Sequence, residues 1–353
     1  MKDTLIQDQI LIAQEMFHGL ANKCRGGNLA IKLDMSKAFD RVSWDYLLEV
    51  LRRFGFSNQT THLIHNLLAT TSLSININGK NTKPFQTSRG LKQGDSLSPF
   101  LFIIASEGFS RTLNNLVLTK KIAGYNLGRN YHPISHLAFT DDLILFTNGS
   151  SPNLKQVHSF LRNYERCSGQ KVNMDKSNFF TLPKTPNHRI NYMCSTLRMN
   201  HGTLPFKYLG VQIFRGINRA HYCQTLIDQF NNKLKGWQGR LLSHSGRLIL
   251  LKHNLNSIPL HTLAVNKLPK SIIHLLHNKM CTFLWGHTEG KDSYHWASWD
   301  RICLTEDKGG LGVRSLDAIQ EAFTLKLWWN YHANNSTWSH FMREISQKQQ
   351  LHP

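Results

Sequence analysis

The sequence has no long hydrophobic run. Across 353 residues, no apolar stretch approaches the roughly 18 consecutive residues that would predict a membrane span. The first ten residues, MKDTLIQDQI, also have no apolar stretch like that of a signal peptide. The sequence therefore predicts an intracellular protein that does not cross a membrane.

Paired cysteine motifs are also absent. The chain has six cysteines, and no two of them form a CxxC pair. We expect reduced thiols, as is usual for an intracellular protein of this length. Cys281, His287, His295 and Cys303 are loosely clustered, but their gaps are wider than the usual zinc-site spacings. We interpret them as scattered core and loop residues.

Acidic residues are scarce relative to basic ones. The chain has 22 Asp and Glu against 42 Lys and Arg, which gives a formal net charge of +20. Such a chain attracts polyanions. A membrane surface is the rival partner, but we see no amphipathic basic helix long enough to favour it. Composition therefore favours nucleic acid as the partner.

The hydrophobic pattern alternates between strand and helix periods. It predicts a strand that ends at Asp34, a helix from about Ala38 to Phe54, and a hairpin over 72–85 with a turn at Asn78-Gly79. Further predictions are a helix over 99–118 capped by Ser98, strands around Asp141-Asp142, a helix over 153–167 closed by Gly169, a strand within 170–182, a hairpin over 206–214, and a mostly helical segment over 219–345. This order predicts an α+β fold with an antiparallel sheet backed by helices.

Three carboxylates stand out in this pattern. Asp34 ends a strand just before a helix, and Asp141-Asp142 occupy a tight turn between two apolar runs. Placing acids together in an apolar context is costly unless a cation compensates. Mg²⁺ binds through such carboxylates, and two ions can activate a hydroxyl and stabilise a leaving phosphate. An Asp-rich turn that faces water is the alternative interpretation.

Five segments carry a more specific signal. They are KLDMSKAFDRVSWDYL at 32–47, GLKQGDSLSPFLFII at 90–104, AFTDDLILF at 138–146, SGQKVNMDKS at 168–177 and YLGVQI at 208–213. In order and spacing they resemble the palm motifs of reverse transcriptases from non-LTR (LINE-type) retrotransposons. The resemblance covers most of 1–330 and is strongest to plant elements, including FLWG through DKGGLGVRSL at 283–316. It implies a right-hand polymerase palm followed by a helical thumb.

The resemblance assigns roles to the acids. Asp34 and Asp141 match the residues that hold both metal ions, and Asp142 matches the second acid of the hairpin. The implied cofactor is a pair of Mg²⁺ ions, with Mn²⁺ able to take their place. The implied activity is RNA-directed DNA polymerisation, with an RNA template, a DNA primer and dNTPs as partners. The alternative is an inactive retrotransposon remnant that at most binds nucleic acid.

The resemblance also implies residues that contact the substrate. Phe39 matches the aromatic steric gate that favours dNTPs, although it also suits a helix core. Gln93 and Gly94 match the loop at the incoming nucleotide and template, and are otherwise plain loop residues. Lys176 matches a lysine that steadies the leaving pyrophosphate, and is otherwise a solvated surface lysine. Basic and aromatic residues suited to a phosphate backbone are Lys233, Lys235, Trp237, Arg240, Arg247 and Lys252.

The domains expected on this resemblance follow one another along the chain. They are a remnant of the fingers or a connecting helix over 1–27, the palm over 28–215, a helical thumb-like region over 216–265 and a Trp-rich, mainly helical region over 266–353.

Thr140 stands where the family commonly has Ala, and we expect it to lower activity. The basic fingers motifs have no counterpart before Asp34, so we expect an N-terminally truncated fragment. The lifestyle of such elements and the basic charge predict a nuclear location, with a cytoplasmic RNA–protein particle as the alternative.

Overall fold

The computed structural model describes residues 5–128, 134–236, 242–286, 294–333 and 336–349. The chain divides into two compact units. One unit is Gly19–Thr203, and the other combines Met1–His18 with Leu204–Pro353. The domain limits predicted from the sequence stay a prediction.

The unit Gly19–Thr203 contains the main sheet. Its strands are β1 (Asn28–Asp34), β2 (Ser72–Leu73), β3 (Asn76–Ile77), β4 (Lys80–Asn81), β5 (Phe85–Gln86), β6 (His136–Phe139), β7 (Asp142–Asn148), β8 (Asn178–Phe180) and β9 (Asn200–His201). Five of them form a sheet in the order β6-β7-β1-β8-β9. Neighbours in this sheet run antiparallel except β8 and β9, which run parallel.

One face of this sheet is a hydrophobic core. Leu29, Ile31 and Leu33 alternate along β1 and are fully buried, because successive strand residues point to opposite faces. Each such burial contributes about 1.5–3 kcal/mol relative to exposure. The core cluster also includes Phe109 and Phe160 from two of the helices. The predicted antiparallel sheet backed by helices, and with it the α+β class, is confirmed.

The helices of this unit pack against the sheet core and against one another. They are α2 (Ala38–Arg41), α3 (Trp44–Arg53), α4 (Asn58–Ala69), α5 (Ser98–Leu118), α6 (Ser151–Ser168) and α7 (Asn187–Leu197), while α1 (Ile6–His18) belongs to the other unit. The predicted closure of α6 is confirmed, because Gly169 caps it in a left-handed conformation at φ 74°. The sequence pattern did not predict α4.

Two helix predictions were wrong in detail. A single helix from Ala38 to Phe54 was expected, but the chain leaves helical geometry at Val42, where ψ is 120°. Ser43 then caps a new helix, because its hydroxyl accepts a hydrogen bond from the Tyr46 N–H. Ser98 was expected as an N-cap, but it is the first residue of α5 and donates its hydroxyl to Asp95 Oδ2 at 3.1 Å.

The hairpin predicted over 72–85 is confirmed. Asn76 and Ile77 pair with Asn81 and Lys80 around the Asn78-Gly79 turn. Both turn residues have positive φ, 50° and 82°, which is the conformation that a two-residue hairpin turn of this type requires. The outer strands β2 and β5 pair as well.

The other unit is mainly helical. Its elements after Leu204 are the hairpin strands β10 (Phe206–Tyr208) and β11 (Val211–Ile213), then α8 (Gln224–Leu234), α9 (His244–His253), α10 (Leu260–Leu263), α11 (Lys270–Trp285), α12 (Trp299–Ile302), α13 (Leu316–Ala333) and α14 (Thr337–Gln349). Both the hairpin and the helical character predicted from the sequence are confirmed. Its core includes the buried residues Phe230, Leu276 and Met280. In the described ranges, no helix is long and apolar enough to cross a membrane.

Candidate active site

Two of the three predicted acids face each other across neighbouring strands. Asp34 is the last residue of β1 and pairs in register with Asp142, the first residue of β7. Directly opposite residues point to the same face of a sheet, with Cβ atoms typically about 4.5–5.5 Å apart. Both are half-buried. Asp141 precedes Asp142 in the turn and is exposed.

Lys32 lies on the same face as these acids, two residues before Asp34 on β1. Its Nζ is 3.4 Å from Asp142 Oδ1, and its side chain is 24% exposed. A cation at this distance offsets part of the charge that two neighbouring carboxylates carry. Sequence reasoning missed Lys32, although the two-residue strand period would have put it on the Asp34 face.

The turn that carries Asp141 is held by Thr140. Its φ is 52°, in the left-handed region, which a β-branched residue adopts only under strain. Its hydroxyl lies 2.8 Å from the Phe139 carbonyl and 3.0 Å from Asp141 Oδ1. The Thr140 hydroxyl, which Ala would lack, therefore contacts the Asp141 carboxylate directly.

The loop before β8 is fastened to Asp34 through the backbone. The Asn173 N–H donates to the Asp34 carbonyl at 2.8 Å, and the Asp34 N–H donates to Ser177 Oγ at 3.1 Å. Ser177 is fully buried. Lys176 is its exposed neighbour in this loop. The loop therefore holds the Lys176 backbone beside the Asp34 end of β1.

Phe39 packs as a partly buried aromatic. Its ring stacks on Phe102 of α5, with centroids 4.5 Å apart and planes 11° apart. Its carbonyl accepts a hydrogen bond from the Leu91 N–H at 2.8 Å. Both the core and the steric-gate interpretations fit a half-buried ring, so the gate stays a prediction.

The loop with Gln93 and Gly94 borders a cleft of about 510 Å³ that Arg89 and Lys92 also line. Gln93 Nε2 is 3.5 Å from Asp40 Oδ1. Gly94 has φ +90°, and a Cβ added there would meet no atom within 4 Å. The glycine is thus needed for its backbone conformation, and the space beside it is open.

A buried polar network connects α5 to β6. His136 Nε2 is 2.9 Å from Ser110 Oγ, and its Nδ1 is 2.8 Å from Ser135 Oγ. Ser135 donates its only hydroxyl proton to Asn114 Oδ1 at 2.6 Å. Nδ1–H must therefore donate to Ser135, which leaves Nε2 to accept from Ser110. Burial of this neutral ring lowers the pKa of His136 to about 4.

The donor chemistry of the three acids suits a hard divalent cation, which prefers carboxylate oxygens. In the ranges that the structure describes, no three His, Cys, Asp or Glu side chains are grouped closely enough to hold a metal ion. Asp34 and Asp142 are brought opposite each other, whereas the Asp141 carboxylate is turned to the Thr140 hydroxyl. The metal-binding assignment therefore stays a prediction.

The loosely clustered thiols Cys281 and Cys303 lie in the other unit. Cys281 Sγ is 3.6 Å from His295 Nδ1. Burial, together with nearby Asp300 and Cys281, raises the pKa of Cys303 to about 11, which disfavours the thiolate that zinc requires. His287 lies outside the described residues.

Among the basic residues predicted to contact phosphate, Lys252 Nζ forms an ion pair with Glu306 Oε1 at 3.0 Å. Trp237 and Arg240 lie outside the described residues.

The family model for reverse transcriptase (RNA-dependent DNA polymerase) matches residues 3–213, which is more than half of the chain. The chain belongs to the reverse transcriptase family. The predicted resemblance to reverse transcriptases of non-LTR retrotransposons is confirmed by relatives that are named as transposon proteins.

Three such relatives show how far the similarity extends. A transposon TX1 protein of 149 kDa from Xenopus laevis is 24% identical over 91% of this chain and 24% of its own length. A Pol polyprotein from retrotransposable element R2 of Popillia japonica is 31% identical over 51% of this chain and 26% of its own. The R2DM Pol polyprotein of Drosophila melanogaster is 25% identical over 90% and 30%. The chain thus spans about a quarter of the length of these relatives.

Proposed function

We propose that this chain is the RNA-directed DNA polymerase domain of a non-LTR retrotransposon. The observation that carries the proposal is the register of β1 and β7, which pairs Asp34 with Asp142 next to Asp141. The reaction is nucleotidyl transfer, in which a primer 3′-hydroxyl attacks the α-phosphate of a dNTP and pyrophosphate leaves. The substrates and partners in this proposal are an RNA template, a DNA primer and dNTPs.

Asp34 and Asp141 are the proposed ligands of two Mg²⁺ ions, and Asp142 is a secondary contributor; Mn²⁺ is an alternative ion. When bound, the ions supply activation of the attacking hydroxyl and compensation of charge on the leaving phosphate. The sheet supplies rigidity, because both strand ends are fixed by the buried face behind them. Lys32 limits the mutual repulsion of the carboxylates through its contact with Asp142.

The other residues act by positioning the substrates. Phe39 would lie under the sugar and exclude a 2′-hydroxyl. Gly94 lets the loop backbone approach the nucleotide, and Gln93 would contact it from the same loop. Lys176 would steady or protonate the departing pyrophosphate. The basic helical region after 216 would hold the primer–template, and the lifestyle of such elements favours a nuclear location.

Primer extension tests the proposal. The full chain is given a primed RNA template, dNTPs and Mg²⁺, beside the double variant Asp141→Ala/Asp142→Ala. We expect extension by the native chain and none by the variant, with primer–template binding equal in both. Extension by both proteins would show a contaminating polymerase. Binding without extension by the native chain would overturn the enzymatic proposal in favour of a remnant that only binds nucleic acid.

A further inference from the structure

A groove of about 960 Å³ lies in the mainly helical unit and contains none of the residues proposed to bind the metal ions or the dNTP. Its size is at the upper end of the roughly 300–1,000 Å³ typical of pockets that hold a whole small molecule. Helices α9, α10 and α13 and the loop before α13 contribute its walls. We call it the cationic groove, and the residues used below are Lys252, Asn256, Val313, Arg314, Phe323 and Lys326.

The rim of the cationic groove is positive. Arg314 and Lys326 are both exposed on it, and no acidic residue is among the described residues that line it. Lys252 contributes less, because its ammonium is paired with Glu306. Two exposed, unlike cations on one rim suit the phosphates of a polynucleotide, since Arg binds phosphate in a planar fork and Lys as a point charge.

The floor of the groove is largely apolar. Val313 is buried, and Phe323 is partly buried and packs against the core of this unit. Trp329 lies one turn beyond Lys326 on α13 and is 64% exposed, so the apolar surface continues past the groove along the same helix. Apolar and aromatic surfaces bind the faces of unpaired bases. A duplex offers phosphates but hides those faces, so the floor favours a single strand.

Asn256 adds a polar group to the groove wall. Asn256 is buried, with 7% of its surface exposed. Its Nδ2 donates to the Arg314 carbonyl at 3.2 Å, so Oδ1 is the acceptor end of the amide. Its Oδ1 has no hydrogen-bond partner among the described residues. A buried unpaired carbonyl is costly, and an N–H on the edge of a bound base would satisfy it after a small side-chain movement.

We propose that the cationic groove binds unpaired nucleotides of a single-stranded nucleic acid. Phosphates lie on Arg314 and Lys326, and base faces lie on the apolar floor. The groove lies within the helical region that we propose holds the primer–template, but it contains none of the acids Asp34, Asp141 and Asp142 and does not depend on their activity.

Photo-crosslinking tests this proposal on the full chain. The probe is a 12-nucleotide single-stranded RNA with 4-thiouridine, and crosslinked peptides are mapped by mass spectrometry. We expect crosslinks within 252–260 and 312–326. The double variant Arg314→Gln/Lys326→Gln should lose them at least tenfold. The matched control Arg219→Gln/Lys270→Gln removes the same charge from exposed residues outside the groove and should retain them.

Fluorescence anisotropy of the same probe adds a salt dependence. Loss of two phosphate contacts should flatten the slope of log affinity against log salt by about 1.4, and the control double variant should leave it unchanged. The variant Asp141→Ala/Asp142→Ala should keep the groove crosslinks, which separates this proposal from the polymerase proposal.

Four outcomes would overturn the groove assignment. One is an absence of crosslinks from both segments, and another is equal loss in the groove and control variants, which would mean bulk charge alone. A third is equal competition by a fully paired RNA–DNA duplex. A fourth is equal competition by polyglutamate, which would indicate an acidic protein partner. An all-abasic strand should compete at least fivefold more weakly than the RNA, and equal competition by it would overturn the role of the floor.

Discussion

The sheet of the unit Gly19–Thr203 and the cationic groove of the other unit assemble their polar residues differently. In the sheet, the polar residues sit at adjacent strand ends and are fixed by a regular register. In the groove, they come from chain segments between Lys252 and Lys326 that lie on separate helices and a loop. The sheet concentrates negative charge with one cation beside it, whereas the groove rim is positive over an apolar floor. A regular register makes a site visible in sequence, and helix packing does not.

The largest effect expected in the sheet follows from Asp34→Asn. This change keeps the size and removes the charge, so primer extension should fall on the order of a thousandfold. Extension rates at saturating dNTP, measured beside probe crosslinking in the groove, would show that only the sheet site is affected. Asp45→Asn is the matched control, because Asp45 is an exposed helix acid. Equal losses in both variants would contradict the role of Asp34.

Acid should destabilise the sheet unit through His136. The pKa of this ring is lowered to about 4 in the fold, against about 6.5 in an unfolded chain. The unfolded chain therefore binds the proton first, and stability present above pH 6.5 is lost as the pH falls towards 4. Between pH 7 and pH 5 the loss should be on the order of 2 kcal/mol.

Urea unfolding at the two pH values measures this loss. The variant His136→Gln should show less pH dependence, while His188→Gln, which removes an exposed histidine of the same unit, should behave like the native chain. Identical pH dependence in all three proteins would rule out His136 as the cause.

A smaller effect is expected from Lys32→Met. Removing the ammonium beside Asp142 makes the potential at the acids more negative, so the Mg²⁺ concentration for half-maximal extension should fall by about two- to fivefold. Lys32→Arg keeps the charge and should titrate like the native chain. A higher Mg²⁺ requirement in Lys32→Met would argue that Lys32 supports the site in another way.

The smallest effect should come from Thr140→Ala, which we expect to raise extension by about two- to threefold. Ala has no β-branch to strain the left-handed turn and no hydroxyl to hold the Asp141 carboxylate. Steady-state extension of Thr140→Ser separates these causes, because Ser keeps the hydroxyl and removes the branch. Reduced extension by Thr140→Ala would show that the hydroxyl helps to orient Asp141.

Much of the sheet unit could be predicted because its signals are local. The Asn78-Gly79 turn, the Gly169 cap and the apolar strands around Asp141-Asp142 each specify their own conformation. The break at Val42 could not be predicted, because the helical period of apolar residues continues across it. The break shows only in the backbone at Val42 and in the N-cap at Ser43 that begins the next helix. The strand period could have placed Lys32 on the Asp34 face, but its contact with Asp142 depends on the register of β1 and β7. Asn256 had no sequence signal, because its environment exists only after helices have packed.

The pairing of Asp34 with Asp142 also limits how this chain can change in evolution. Residues on β1 alternate between the face that carries Leu29, Ile31 and Leu33 and the face that carries Lys32 and Asp34. A one-residue deletion within 28–33 would either turn Asp34 towards the hydrophobic core or move the leucines to the acid face. Such a deletion would therefore damage folding and the active site together. Length changes should instead be tolerated at the exposed Asn78-Gly79 hairpin tip, which contains neither core residues nor the proposed catalytic acids.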